Sequence, residues 1–232
     1  MKYFLMLLMA STLLGSTPGF AQFKTNQQKN ERTLEKATQT FYELAQLEES
    51  EAIPAALLQQ AEGIVIFPGA LKVALGVGGQ GGRGLAMIRK ADGSWSNPYF
   101  IGMGEANIGA QIGVQSADLV LLFKNRKHIL DLEKGDLTLG GDVGIAAGPM
   151  GRNSSASTDI GFEAEIYSYS KSKGLYIGIS LEGTVLKTNQ KLNNDYYSSA
   201  GISMEEVYND LTTPFHTSIK DLIAAVNHLA KP

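Results

Sequence analysis

The stretch GIVIFPGALKVALGVGGQGGRGLAMIR, residues 63–89, decides the fold, because branched apolar residues and glycines share it almost equally. The run 63–68 predicts a buried strand that ends at Pro68, and residues 71–77 and 83–89 predict two more strands. Glycine weakens a strand, so it is kept where a sheet curves sharply or where another backbone or a ligand comes close. We therefore predict a strongly curved sheet.

The chain stays rich in Gly, Val, Ile, Ser and Thr to about residue 187, and most of the 26 glycines lie in this stretch. The Val, Ile, Leu and Tyr residues between the glycines argue against low-complexity disorder. Asp92-Gly93 predicts a turn before Trp95, which we expect to anchor a hairpin against the core. A short helix closed by Gly135 is predicted over 125–132. Further strands are predicted over 107–114, 118–123, 136–147, 157–170 and 174–186.

Helices are predicted on both sides of this stretch. Residues 26–49 carry apolar residues at helical spacing, and Ile53-Pro54 opens a second helix. After residue 195 the chain returns to helix, and 213–230 carries one apolar stripe with Thr213 as the N-cap. We predict an α+β fold, with a glycine-rich, strongly curved, mainly antiparallel β-sheet or barrel-like core over 63–187. Helices over 26–61 and 195–230 flank it in a single domain, residues 22–232.

The first 21 residues have the layout of a secretory signal peptide. Lys2 precedes an apolar run that is too short to span a bilayer, and Gly15 to Gly19 are expected to break its helix. Ala21 supplies the small residue that signal peptidase requires. We expect cleavage near Ala21-Gln22 and a periplasmic or extracellular protein. Cleavage would move the formal net charge from −3 to −4, because it removes one Lys and no acid.

Composition and motifs exclude several classes of function. The chain has no cysteine, which excludes Cys-based catalysis and thiolate metal sites. Its mildly acidic charge does not fit a nucleic-acid-binding protein. The three histidines, the scattered carboxylates and the lack of a G-x-S-x-G elbow give no sign of a metal site or of catalysis. We expect no enzyme activity and no cofactor.

One glycine motif matches a dinucleotide-binding pattern, but its predicted structural context does not fit such a site. Gly76-Val-Gly-Gly-Gln-Gly81 matches G-x-G-x-x-G, but a dinucleotide site needs a helix to begin there, so that its N–H groups face the pyrophosphate. A predicted strand follows instead. No Lys-Ser or Lys-Thr pair follows a glycine loop, so a P-loop is excluded as well.

An ordered series of short segments resembles the SYLF domain, in family order and across nearly all of the chain after residue 54. Its members are Ala61-Glu-Gly-Ile-Val-Ile-Phe-Pro68, Gly78-Gly-Gln-Gly-Gly-Arg-Gly84, Asp92-Gly-Ser-Trp-Ser-Asn-Pro98, Gly109-Ala-Gln-Ile-Gly113, Asp118-Leu-Val-Leu-Leu122, Leu139-Gly-Gly-Asp-Val143, Gly148-Pro-Met-Gly-Arg152, Tyr169-Ser-Lys-Ser-Lys-Gly-Leu175, Gly178-Ile-Ser-Leu-Glu-Gly183 and Asn194-Asp-Tyr-Tyr197. The ordered set is specific, although each piece alone is not.

The resemblance implies a non-enzymatic lipid-binding domain. Eukaryotic relatives carry it beside SH3 or FYVE modules and bind phosphoinositides, and fungal relatives also bind actin. Bacterial relatives are usually exported single domains, so we expect an anionic phospholipid or membrane surface as the partner, and no actin binding.

Basic residues in glycine-rich turns are the candidate lipid-binding groups, because backbone N–H groups and a guanidinium together suit a phosphate. An exposed, solvated side chain is the alternative for each. The candidates are Lys72, Arg83, Arg152, Lys171 and Lys173. Two other functions stay open: a structural or protein-interaction domain of the cell envelope, and, behind it, an envelope hydrolase.

Overall fold

A computed structural model describes residues 18–45, 53–148, 164–173, 175–176, 181–209 and 217–229. Within these ranges the side chains of 18–27, 71–80, 105–115, 175–176 and 229 are not described. Arg152 and Thr213, which were singled out in the sequence, therefore lie outside the described residues.

Six α-helices and seven strands make up the described chain. The helices are α1 (Pro18–Ala45), α2 (Ala55–Gln60), α3 (Lys127–Leu130), α4 (Gln190–Tyr197), α5 (Met204–Asn209) and α6 (Thr217–Leu229), with a 3₁₀ turn at Asp131–Glu133. The strands are β1 (Gly63–Ile88), β2 (Tyr99–Phe123), β3 (Leu137–Thr138), β4 (Ile145–Ala147), β5 (Ile166–Ser172), β6 (Leu175–Tyr176) and β7 (Val185–Thr188).

The strands form one strongly curled sheet with helices at both ends of the chain, which confirms the predicted α+β class. Its order is β3-β7-β2-β5-β4, with β1 paired to β2 and β6 to β5. All pairings are antiparallel except the one between β4 and β5.

Strands β1 and β2 form a ribbon that is longer than the sequence predicts. The predicted strands within residues 63–89 are one strand, so Pro68 does not end it. The pairing slips between Phe67 and Ala70, and Gly69 takes a φ of 63° there. A bulge of this kind is where a strand tolerates a proline, since the missing N–H has no ladder partner to lose. A second slip lies between Leu75 and Val77.

The ribbon curls until the two ends of β1 meet. A Cβ built on Gly84 would lie 2.3 Å from the carbonyl oxygen of Ile66, so only glycine fits this close approach. The N–H of Arg89 donates to the carbonyl of Glu62 at 2.8 Å. The predicted role of glycine in permitting sharp curvature and backbone contact is confirmed at this position.

Two of the later predicted strands are interrupted by turns in the described part of the chain. The stretch 136–147 is broken by a turn in which Gly140 has a φ of 78° and Asp142 accepts a hydrogen bond from the Thr138 N–H. Gly183, with a φ of 80°, likewise interrupts the stretch 174–186. At these two positions the left-handed glycine lies in a turn and interrupts the run, whereas at Gly69 it lies in a bulge and the strand continues.

The helices differ from prediction mainly at their ends. Pro18 and Gly19, expected as helix breakers, lie in the first turn of α1, where proline needs no hydrogen-bond partner. The expected cleavage position near Ala21 therefore falls within α1. Helix α4 begins at Gln190 rather than at 195, because the Asn189 side chain accepts the Leu192 N–H as an N-cap.

Two apolar layers cover the two faces of the sheet. Helices α1, α4 and α6 supply Phe41, Leu192 and Ile219 to one layer, and α5 supplies Met204 and Val207 to the other. Trp95 belongs to the first layer and is 3% exposed, which confirms its predicted anchoring role. No helix in the described ranges is both long enough and apolar enough to span a bilayer.

Candidate anion-binding surface

Several basic residues were predicted from the sequence to bind lipid. Among them, Arg83 is the one that the described structure shows on the β1–β2 ribbon as exposed and without a salt bridge. It lies on β1 directly opposite Gly102 of β2. A Cβ built on Gly102 would meet only the Gly82 carbonyl oxygen, at an ordinary contact distance of 3.8 Å, so this glycine is not crowded.

Lys187 lies on the other side of Gly102, at the same level. It is exposed and sits on β7, whose register pairs Gly102 with Lys187. Residues at one level of a sheet point to the same face, and neighbouring strands lie about 4.8 Å apart. The side chains of Arg83 and Lys187 therefore leave the same face with their backbones about 10 Å apart. We call Arg83, Gly102 and Lys187 the basic row.

The residues next to Gly102 and Lys187 along their strands point to the opposite face of the sheet from the basic row. Ile101, Met103 and Leu186 are buried in one apolar layer, so the alternating positions face the other way. Neither Arg83 nor Lys187 forms an ion pair with any carboxylate in the described part of the chain. Within the described residues, the row thus presents two cations without a salt-bridge partner on either side of Gly102.

Sequence reasoning missed Lys187. The predicted strand 174–186 ended one residue too early, so Lys187 was not placed on a strand at all. The alternation of buried Leu186 with its exposed neighbour would have been the available signal. Its pairing with Gly102 depends on sheet order, which the sequence does not contain.

Lys171 already forms a salt bridge with a carboxylate. Its Nζ lies 3.1 Å from Oε2 of Glu43 on α1, and its side chain is 14% exposed. A hydrogen bond from Gln39 and then one from Lys171 hold the pKa of Glu43 below its ordinary value. Lys171 therefore ties β5 to α1, rather than presenting a free cation to a ligand.

The other candidates lie apart from the basic row. Lys173 is exposed in the turn after β5, with a φ of 49°. Lys72 pairs with Gln115 of β2, near the level at which Asp118 pairs with Lys171. Lys72 and Lys171 thus both pair with residues 115–118 of β2, whereas Arg83 pairs with Gly102, near the other end of that strand. The structure thus joins Arg83 to Lys187 and does not bring it level with Lys72 or Lys171.

In the described ranges, no three His, Asp or Glu side chains come together as a metal site would require.

Comparison with known families identifies the chain. Residues 104–229, from within β2 to the end of α6, match the family model Ysc84, described as a Las17-binding protein actin regulator. The chain belongs to the SYLF, or Ysc84, domain family. The resemblance in the ordered segments is thereby confirmed. The match to the family model includes Lys187 but begins after Arg83 and Gly102.

Three curated relatives of this SYLF chain come from eukaryotes. It is 34% identical over 163 residues to the SH3 domain-containing YSC84-like protein 1 of Bos taurus, covering 70% of this chain and 48% of that protein. It is 40% identical over 150 residues to an SH3 domain-containing protein of Schizosaccharomyces pombe, covering 63% of this chain and 35% of that one. Protein YSC84 of Saccharomyces cerevisiae is 35% identical over 150 residues, covering 63% and 32%.

The SYLF chain thus spans half or less of the length of these relatives. The names of these relatives describe SH3 domain-containing and YSC84 proteins, and none of the three is the name of an enzyme.

Proposed function

We propose that this chain is a non-enzymatic lipid-binding domain of the cell envelope, and that its basic row contacts phospholipid head groups. The observation that carries the proposal is the pairing of Gly102 with both Arg83 and Lys187. Two exposed cations then flank Gly102, which has no side chain to separate them. The lipid binding implied by membership of the SYLF family supports the same assignment.

The chemistry of the row suits a phosphate. A guanidinium donates two parallel hydrogen bonds to phosphate oxygens, and an ammonium adds a second charge without a fixed direction. The glycine between them lets a head group approach the sheet closely. The formal net charge of −3 opposes an anionic membrane, so a local surface of this kind has to supply the attraction.

Sedimentation of the protein with vesicles tests the proposal. Vesicles containing anionic phospholipid should recruit the protein more than purely neutral ones, and added salt should weaken recruitment because exposed charges are screened. Each basic residue near an anionic surface contributes about 1 kcal/mol, so Arg83→Ala with Lys187→Ala should weaken binding by about 30-fold.

A second double variant controls for net charge. Lys127 and Lys191 are exposed lysines that face Asp131 and Asp195 of their own helical segments. Lys127→Ala with Lys191→Ala changes the charge equally and should leave vesicle binding within about twofold, because these ammonium groups are already paired. Equal losses in the two double variants would refute the basic row as the contact site.

The envelope location is part of the proposal and rests on the signal-peptide layout of residues 1–21. Mass spectrometry of the natively expressed protein should find a mature N-terminus near Gln22. An intact Met1 on protein recovered from the envelope would refute cleavage.

A protein-interaction domain without a lipid ligand is the second candidate. The name of the family model, a Las17-binding protein actin regulator, favours protein binding for the proteins it describes. Failure of both vesicle types to recruit the folded chain would favour this candidate over lipid binding.

A further inference from the structure

The basic row lies on the convex side of the curled sheet. Gly84 follows Arg83 on β1 and pairs with the buried Ile101, so it belongs to the opposite face of the sheet from the row. A Cβ built on Gly84 would lie 2.3 Å from the Ile66 carbonyl oxygen and 2.4 Å from the Phe67 ring, near the other end of β1. The ribbon therefore curls toward the face of Gly84 and away from the face of the basic row.

Side chains on a convex face splay apart, so the two cations of the row form separate anion subsites. The backbones of Arg83 and Lys187 lie two strand spacings apart, about 10 Å. The next level of the sheet on this face consists of Gly81, Gly104 and Val185, so it adds no acid. Bringing both long side chains onto one phosphate would cost each of them rotamer freedom. Two phosphates, one against each cation, leave both side chains extended.

The charge of each subsite suits a phosphodiester. A phosphodiester carries a single negative charge, whereas a phosphomonoester carries nearly two at neutral pH. Neither Arg83 nor Lys187 has a salt-bridge partner in the described part of the chain, so each can neutralise one such charge. Between them Gly102 has no side chain, and its Cβ position is not crowded. A short uncharged linker therefore has room to cross the strand from one cation to the other.

We propose that the basic row binds one lipid with two phosphodiesters joined through a single glycerol, as in diphosphatidylglycerol. One phosphodiester contacts the Arg83 guanidinium and the other the Lys187 ammonium, while the linking glycerol lies over Gly102. This inference rests on the proposed function, because it names the lipid that the proposed head-group surface takes.

Vesicle sedimentation with two anionic lipids at equal charge tests the proposal. Phosphatidylcholine vesicles receive either diphosphatidylglycerol or twice as many molecules of phosphatidylglycerol, so that the number of charged phosphodiesters is the same. We expect at least about threefold tighter binding to diphosphatidylglycerol, because its linker makes the second phosphate contact intramolecular. Equal binding to both, above that to neutral vesicles, would overturn the two-phosphodiester inference and leave the proposed function standing. Binding to neither would overturn both.

Single substitutions locate the two subsites. Arg83→Gln and Lys187→Gln each remove one cation, so each should abolish the preference for diphosphatidylglycerol over phosphatidylglycerol. Lys127→Ala removes an exposed lysine that is paired with Asp131, so it changes the net charge equally and should retain the preference. A preference that survives in either Gln variant would overturn the assignment of one phosphodiester to each cation.

Gly102→Leu tests the path of the linker. The new side chain would stand between the two cations and block the bridge, so binding to diphosphatidylglycerol should fall to the level of phosphatidylglycerol. Binding to phosphatidylglycerol should stay as in the parent, because its separate phosphates need no bridge. The uncrowded position of Gly102 predicts that the variant folds, which circular dichroism checks. An unchanged preference in the folded variant would overturn the proposal.

Discussion

The backbone N–H of Arg89 donates a hydrogen bond of 2.8 Å to the carbonyl of Glu62 and so joins the two ends of β1. The Arg89 side chain continues the closure, since Nε bonds to the Ala61 carbonyl at 3.0 Å and Nη2 to the Leu58 carbonyl at 2.9 Å. Its guanidinium also lies 4.7 Å from the centre of the Trp95 ring. One residue thus fixes α2, the start of β1 and the β1–β2 turn together.

Arg89→Met should destabilise the protein by at least about 3 kcal/mol. The variant keeps an apolar stem but leaves two carbonyls without their charged donor, each worth about 1.5–3 kcal/mol, and loses the contact with Trp95. Urea denaturation followed by circular dichroism measures the loss. Arg83→Met, on the same strand but exposed and unpaired, should stay within about 0.5 kcal/mol of the parent. Similar losses in the two variants would contradict the closing role of Arg89.

Gly84→Ala should destabilise the protein by about 1–3 kcal/mol or more. Its new methyl would meet the Ile66 carbonyl oxygen at 2.3 Å and the Phe67 ring at 2.4 Å, so backbone has to move. Gly104→Ala is the matched control on β2, because its methyl would meet nothing within 4 Å. Alanine there should be neutral or stabilising by up to about 1 kcal/mol, since glycine loses more freedom on folding. Thermal denaturation of both variants tests the difference, and a stable Gly84→Ala would rule out the close approach.

The curvature of the sheet could be predicted from the glycines, but the length of its strands could not. Pro68 ends a strand by the usual rules, yet a bulge at Gly69 carries β1 past it. In the opposite direction, Gly140 and Gly183 cut short what the apolar pattern predicts as long strands. A glycine with positive φ and one under close backbone contact look identical in sequence, so their effects separate only in three dimensions.

The candidate site shows the same limit. Arg83 was found because glycines surround it in sequence, whereas Lys187 stands beside it only through the order β1-β2-β7. Buried polar residues are equally hidden from pattern reasoning. Asn193 is fully buried because its side chain bonds to both the N–H and the carbonyl of Phe100, at 2.7 and 2.8 Å. That pairing attaches α4 to β2 across a long sequence separation.

Lys171→Met should make stability less dependent on pH in the acid range. The pKa of Glu43 is lower in the folded protein than its ordinary value of 4.5, so its stabilising contribution is complete above that value and is lost as pH falls through the folded pKa. Removing Lys171 takes away part of the cause and leaves the hydrogen bond from Gln39. The variant should therefore be less stable than the parent at pH 7 by under about 1 kcal/mol, since Glu43 is partly exposed, and the gap should narrow at about pH 3. Urea denaturation at both pH values measures it. Lys173→Met, in the exposed turn two residues on, should show no such pH-dependent gap, and a gap for Lys171→Met that is equal at both pH values would argue against the ion pair.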